Sequence, residues 1–183
     1  MNRMDPITDR DVIHEIEDYL REWNEMYYLL FETALYTGYR ITDILNIRVR
    51  DVQGWDIKLR ERKTQKLREV RMTPELKKSM RAFVKGKPLN HFVFKSRQGK
   101  NKPISRQRFD QILKHVATEL DIDNIAAHSI RKTFGFFYYQ KFDGVNDLMT
   151  IFNHSSERTT LIYIGDKQVT FKKNMAKFKI QCH

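Results

Sequence analysis

The sequence predicts an α+β fold, mostly helical, with a small antiparallel β-sheet or hairpin in its first half. Three observations carry that expectation. Apolar residues recur at three- and four-residue spacing over most of the chain. One stretch, Trp55 to Met72, instead alternates apolar and polar residues around a polar turn. At 183 residues and 40% apolar composition, the chain is long enough to bury a core as one domain.

Taken in order, Thr8 with Asp11 reads as a capping box opening a helix from Asp9 to Glu22 along Val12, Ile13, Ile16 and Leu20. Met26, Leu29, Leu30, Thr33 and Ala34 predict a second helix, which Gly38 ends by supplying a left-handed residue. Arg40 then falls just past that end, leading into a short helical piece, Ile41 to Leu45. From Arg48 the pattern turns toward strand. Trp55, Ile57 and Leu59 form one arm and Leu67, Val70 and Met72 the other, with Lys63 at the tip. Thr73-Pro74-Glu75 starts a helix that Gly86 stops. Ser105 caps a helix through Ile112, Val116 and Leu120. Further helices are expected over Ser129 to Lys141, Val145 to Phe152 and Glu157 to Ile164. A lysine-rich tail, Lys167 to Lys179, closes the chain.

The formal charge of +11 is unevenly spread. Met1 to Ile47 holds 4 Lys/Arg against 10 Asp/Glu, Arg48 to Arg108 holds 20 against 5, and Phe109 to His183 holds 10 against 8. A basic centre of this kind suits a polyanion, and the spread favours a nucleic-acid backbone over a uniformly solvated surface. The cations expected to face DNA are Arg48, Arg50, Arg62, Lys66, Arg68, Lys95, Arg97, Lys100, Lys102, Arg106, Arg108 and Lys132. The single cysteine, Cys182, allows no internal disulfide and fits a reducing compartment. No apolar run reaches the ~18 to 20 residues that span a bilayer, so no membrane role is expected.

Breaking a phosphodiester without a metal takes positive groups on the non-bridging oxygens, an in-line nucleophile and an acid for the leaving oxygen. Arg40 and Arg131 suit the first task, because a guanidinium donates two parallel hydrogen bonds to phosphate. His128 precedes Arg131 by three residues, so on a helix both project from one side. His154 and Tyr163 follow at a spacing of nine. A phenol with a pKa near ~10 needs a proton acceptor and nearby positive charge before it attacks. Tyr163 is one of eight tyrosines, and only its place in this order selects it. The histidines have no carboxylate or cysteine at a matching spacing, so no metal site and no cofactor are expected.

At these residues the chain resembles the tyrosine recombinases, or phage integrase family. Thr37-Gly-Tyr-Arg40-Ile-Thr-Asp43-Ile-Leu-Asn-Ile47 is similar to the family's first box, Ala127-His128-Ser-Ile-Arg131-Lys-Thr-Phe134 to its second, and Ile151-Phe152-Asn-His154 through Tyr163 to its third. Glu61-Arg-Lys63-Thr-Gln-Lys resembles its hairpin lysine motif. The resemblance implies a site-specific recombinase or integrase that cleaves and rejoins DNA through a covalent 3′-phosphotyrosine on Tyr163. It implies that Arg40, Arg131 and His154 hold the phosphate oxygens and that Lys63 protonates the leaving 5′-oxygen. His128 would accept the phenolic proton, and Asp43 would orient Arg40. It further implies double-stranded DNA as partner, a homotetramer on two sites with a monomer off DNA as the other state, and a cytoplasmic protein of bacterial or phage origin. Asn153 stands where the family usually has glycine, which asks for a left-handed asparagine.

The chain matches the catalytic domain over 1–183, without the family's N-terminal DNA-clamping domain. It reads either as the excised domain of a longer integrase or as a small family member. Two other functions share these residues: relaxation of DNA like a type IB topoisomerase, and DNA occupancy without cleavage by an integrase-derived regulator. The tail over 166–183 is open between packing on a neighbouring protomer and folding back on its own domain.

Overall fold

The computed structural model describes residues 4–63, 65–123, 125–165 and Met175. Eight helices and one two-stranded sheet follow in the order α1 (Arg10–Trp23), α2 (Glu25–Thr37), α3 (Ile41–Ile44), β1 (Asp56–Arg60), β2 (Leu67–Arg71), α4 (Pro74–Val84), α5 (Arg106–Glu119), α6 (Ala127–Phe142), α7 (Val145–Phe152) and α8 (Glu157–Ile164). A 3₁₀ turn over Val49–Val52 precedes β1, where the sequence suggested strand from Arg48. The lysine-rich tail lies outside the described residues, Met175 apart. No described helix is long and apolar enough to cross a membrane.

Two helices run through the interior. In α2 every residue from Tyr28 to Leu35 is buried, and in α6 every residue from Ser129 to Thr133 is, so neither shows a clear polar face. They pack against each other, with α1, α4 and α5 around them. One large core follows, containing Leu20, Phe31, Ile44, Ile57, Phe94 and Phe109. A smaller apolar cluster, Leu148, Phe152 and Ile164 with Phe134 and Tyr163 against it, forms where α6, α7 and α8 meet. Four of the candidate residues, Arg40, Arg131, His154 and Tyr163, gather beside this second cluster.

Local signals explain most boundaries. Asp9, rather than Thr8, caps α1, its carboxylate accepting from the Asp11 amide. Thr73 and Ser105 cap α4 and α5 through their hydroxyls, and Pro74 opens α4. The helix expected from Ser129 begins at Ala127, which places His128 in its first turn. The hairpin pairs Ile57 with Val70 and Leu59 with Arg68 on its inner face. On its outer face Lys58 meets Glu69 at 3.5 Å and Arg71 meets Asp56 at 3.1 Å. The inner phase of β2 is therefore Arg68, Val70 and then Met72, while Leu67, expected inside, is 61% exposed. Trp55, also expected on the apolar arm, precedes β1 and is exposed.

Candidate active site

Gly38 ends α2 at φ 63°, and this turn delivers Arg40 to the site. A Cβ at Gly38 would fall 2.1 Å from the Phe134 ring, so a side chain there is excluded by both space and conformation. The Gly38 carbonyl accepts from Arg131 Nη1 at 2.6 Å, which ties the first-box turn to α6. The Arg40 guanidinium donates to the Phe152 carbonyl at 3.3 Å and lies 3.8 Å from the Glu61 carboxylate.

Arg131 projects from α6 and is buried, its Nη2 donating to the Ile151 carbonyl at 3.3 Å. Its guanidinium sits 4.6 Å from the centre of the Phe152 ring. That ring also lies 5.5 Å from His154 and 5.1 Å from Tyr163. Phe152 is thus the shared floor of the site, and its carbonyl holds the other arginine. It was named in the sequence only as part of the third box.

Asn153 ends α7 at φ 58°, the left-handed conformation for which asparagine is better suited than most residues. The next residue, His154, directs Nδ1 to Thr160 Oγ1 at 3.1 Å, and that hydroxyl also donates to the Ser156 carbonyl at 3.2 Å. With the hydroxyl proton so used, the network assigns a proton to Nδ1 and leaves Nε2 bare in the neutral ring. Tyr163, on α8, packs edge-on against His154 at 5.1 Å.

The electrostatics follow from this crowding. Burial pushes the Tyr163 phenol above its usual value, while Arg131 and then Arg40 pull it down. Burial, then Arg131 and Arg40, lower His154. Burial likewise lowers Arg131, with Tyr163 opposing. His128 is lowered by burial and then by Arg106 and Arg131, with Asp110 opposing. In both cases the surroundings favour the neutral imidazole.

The structure thus brings Arg40, Arg131, His154 and Tyr163 together, with His128 beside Arg131. Lys63 is exposed in the turn between β1 and β2, on the hairpin rather than among the others. Asp43, expected to orient Arg40, accepts through Oδ1 from the Arg62 backbone N–H at 2.9 Å, which anchors the hairpin. Its carboxyl is raised by burial and lowered by that bond and by Arg40. Three cations expected on the DNA-facing surface are engaged by partners within the chain, one of them buried. Lys132 is buried, donating to the Met4 carbonyl at 2.5 Å. Arg48 lies over Phe92 at 4.2 Å and donates to the Asn90 carbonyl. Arg68 pairs with Glu61 at 2.9 Å. Arg50, Arg62, Lys66, Arg97, Lys100, Lys102, Arg106 and Arg108 are exposed, and Lys95 is half-buried. Among the described residues no group of three or more His, Cys, Asp or Glu is arranged to hold a metal ion.

A helical domain with a two-stranded hairpin, carrying two arginines, a histidine and a tyrosine at one corner, has the catalytic fold of the tyrosine recombinases. XerA recombinase shares it at TM-score 0.76 and 18% identity, over 98% of this chain and 66% of that one. The XerH site-specific recombinase bound to palindromic difH substrate does so at TM-score 0.71 and 16% identity, over 96% of this chain and 54% of that one. The chain belongs to the phage integrase family, whose family model matches residues 7–168. It is 36% identical over 166 residues to the probable integrase/recombinase YoeC of Bacillus subtilis (strain 168), covering 90% of this chain and 91% of that protein. It is 28% identical over 134 residues to a probable integrase/recombinase of Acholeplasma phage L2, covering 70% of this chain and 45% of that protein. The chain therefore spans nearly all of the first relative but between half and two thirds of these solved recombinases.

Proposed function

We propose that this chain is the catalytic unit of a site-specific DNA recombinase that cuts and rejoins strands through a covalent 3′-phosphotyrosine on Tyr163. The observation that carries the reading is geometric: the half-buried Tyr163 ring packs edge-on against His154 and Phe152 at 5.1 Å. The same Phe152 holds Arg131 under its ring and Arg40 on its carbonyl, so two guanidiniums oppose the effect of burial on the phenol. A phenol so placed is protonated at rest and is favoured as a nucleophile when its charge develops beside those cations.

In the proposed step the Tyr163 oxygen attacks phosphorus, the P–O5′ bond breaks, and the 3′-phosphate remains on the tyrosine. Arg40 and Arg131 hold the non-bridging oxygens, joined by His154 once its Nε2 takes up a proton as the phosphate binds. The phenolic proton goes to His128, kept neutral by its surroundings, and Lys63 gives a proton to the departing 5′-oxygen. Reversal by the 5′-hydroxyl of a second strand conserves the bond. Neither ATP nor a metal enters this scheme. Double-stranded DNA is the partner, read by phosphate contacts from the exposed cations of residues 95–108, and a homotetramer on two sites performs exchange. The similarity to probable integrase/recombinases, and to XerH bound to its DNA substrate, supports this reading.

The test uses a duplex selected for binding from a random pool and nicked near the cleavage position, so that the released 5′-fragment diffuses away. The wild-type protein accumulates a protein–DNA adduct stable to denaturant. Tyr163→Phe abolishes the adduct while retaining affinity within about threefold, a difference below 1 kcal/mol. An adduct of undiminished yield from Tyr163→Phe would remove that tyrosine from the chemistry.

A further inference from the structure

Arg68 carries charge into the one place on the hairpin where alternation predicts an apolar side chain. It faces inward with Leu59, Val70 and Met72, and its side chain is only 20% exposed. Its Nε donates to the Glu61 carboxylate at 2.9 Å, and its Nη2 donates to the Thr150 carbonyl of α7 at 3.2 Å. Glu61 is fully buried and lies two residues before Lys63. The same turn is fastened at its base, because the Glu61 amide donates to the Lys66 carbonyl at 3.0 Å and the Gln65 amide to the Glu61 carbonyl at 2.8 Å. The Arg62 amide is fastened to Asp43 in turn.

These contacts form a strut between the lysine-bearing turn and α7, the helix that ends just before His154. Separating the pair would leave the fully buried Glu61 carboxylate without its charge-assisted partner, so the two move as a unit. We propose that Arg68 is a positioning residue: through Glu61 and the C-terminal carbonyls of α7 it sets the distance between Lys63 and the groups that bind the phosphate. Arg68 makes no contact with substrate in this scheme, and removing it misplaces the leaving-group acid, while Arg40 keeps its bond to the Phe152 carbonyl and Arg131 its bonds to the Gly38 and Ile151 carbonyls. The inference rests on the strand-cleavage reading given above, in which Lys63 protonates the 5′-oxygen as the P–O5′ bond breaks.

A change of leaving group separates this role from phosphate binding or general stability. A substrate with sulfur in place of the bridging 5′-oxygen releases a thiolate, which departs without a proton, so loss of the acid matters little there. On the oxygen substrate, Arg68→Met is expected to slow adduct formation by about 10- to 100-fold, the scale of a roughly 1 Å misplacement. On the sulfur substrate it is expected to recover to within about threefold of wild type. Lys63→Met should follow the same pattern, and Arg40→Lys should be slow on both substrates. Arg68→Lys keeps the charge but cannot hold both Glu61 and the Thr150 carbonyl; it serves as the second variant if Arg68→Met does not fold, and is expected to recover likewise. Equal losses of an Arg68 variant on both substrates, or no loss on either, overturn the proposal. So does failure of sulfur to rescue Lys63→Met, because no acid then stands at that position. If the wild-type protein forms no adduct with either substrate, it is the cleavage reading that fails.

Discussion

Replacing Phe152 by leucine is expected to uncouple catalysis from folding and from DNA binding. The ring is 1% exposed and touches Arg131, His154 and Tyr163 at centre distances of 4.6, 5.5 and 5.1 Å. Leucine keeps the site apolar but leaves part of the ring volume empty. The cost to stability is about 1 to 2 kcal/mol for the partial truncation, together with up to about 2 kcal/mol for the lost guanidinium–ring contact. Against the usual ~5 to 15 kcal/mol of a domain, the variant remains folded. The consequence for chemistry is larger, since three groups lose their common support. A displacement near 1 Å costs about 100-fold, so the rate of adduct formation should fall by about 10- to 100-fold. The exposed cations are untouched, and affinity for a selected duplex should stay within about threefold. Adduct kinetics, thermal unfolding and a binding titration on the same preparation measure all three. A wild-type cleavage rate in a folded Phe152→Leu protein would show that the ring does not hold these groups, and a parallel collapse of binding and unfolding temperature would assign it to the fold alone.

Two further outcomes follow from the titrating groups. His154 is lowered by burial and by the two arginines, and a phosphate placed between them reverses the last two effects, so DNA binding should take up a proton. Affinity at constant ionic strength should therefore tighten as pH falls from 8 toward 6 and flatten in His154→Gln; an unchanged slope in that variant would place the proton elsewhere. Glu32 is buried in α2 with Oε2 unbonded, and burial raises its carboxyl above its usual value of 4.5, Tyr28 opposing. Because the folded form holds that proton more tightly, its contribution is favourable below 4.5 and is lost as pH rises through the raised value. Glu32→Gln should then stabilise the protein by about 1 kcal/mol at pH 8 and by nothing at pH 4, as read from denaturant midpoints. A destabilised variant at pH 8 would show that the charge has a role the fold depends on.

The elements that sequence made legible are those with a local cause. Gly38, Pro74 and Ser105 act within one turn of themselves, so their helix boundaries follow from neighbours a few residues away. The gathering of Arg40, Arg131, His154 and Tyr163 was legible only through the order of the boxes, because their meeting depends on α2, α6, α7 and α8 packing together. What stayed hidden is what long-range pairing decides. Nothing near Asp43 in sequence says that its carboxylate takes the Arg62 amide 19 positions on. Lys132, next to a catalytic candidate in a basic chain, read as a surface cation, yet its helix is buried on nearly every side and its amine ends on the Met4 carbonyl. Arg68 had a usable signal: it shares the phase of Val70 and Met72, and a charge in an inward phase asks for a buried partner. Glu61, just before the turn, is the partner that such a reading would seek.

The end of α7 explains how such a concentration of positive charge is tolerated before any phosphate arrives. Its last carbonyls, those of Thr150, Ile151 and Phe152, accept from Arg68, Arg131 and Arg40 in turn. A helix C-terminus carries about half a negative charge on such unsatisfied carbonyls, so three guanidiniums there meet an attractive field rather than only each other. Glu61 adds a full negative charge shared by two of them. Each guanidinium has five N–H donors, and Arg131 spends one on Gly38 and one on Ile151. The remainder are fixed in direction by those bonds before substrate binds, which is the condition under which a donor contributes most to a transition state, since no reorganisation is left to perform. Under the proposed cleavage the short helix before His154 would set the positions of the phosphate-binding groups. Shifting its C-terminus by one residue would move three arginines together, whereas an equal change in a surface loop would move none.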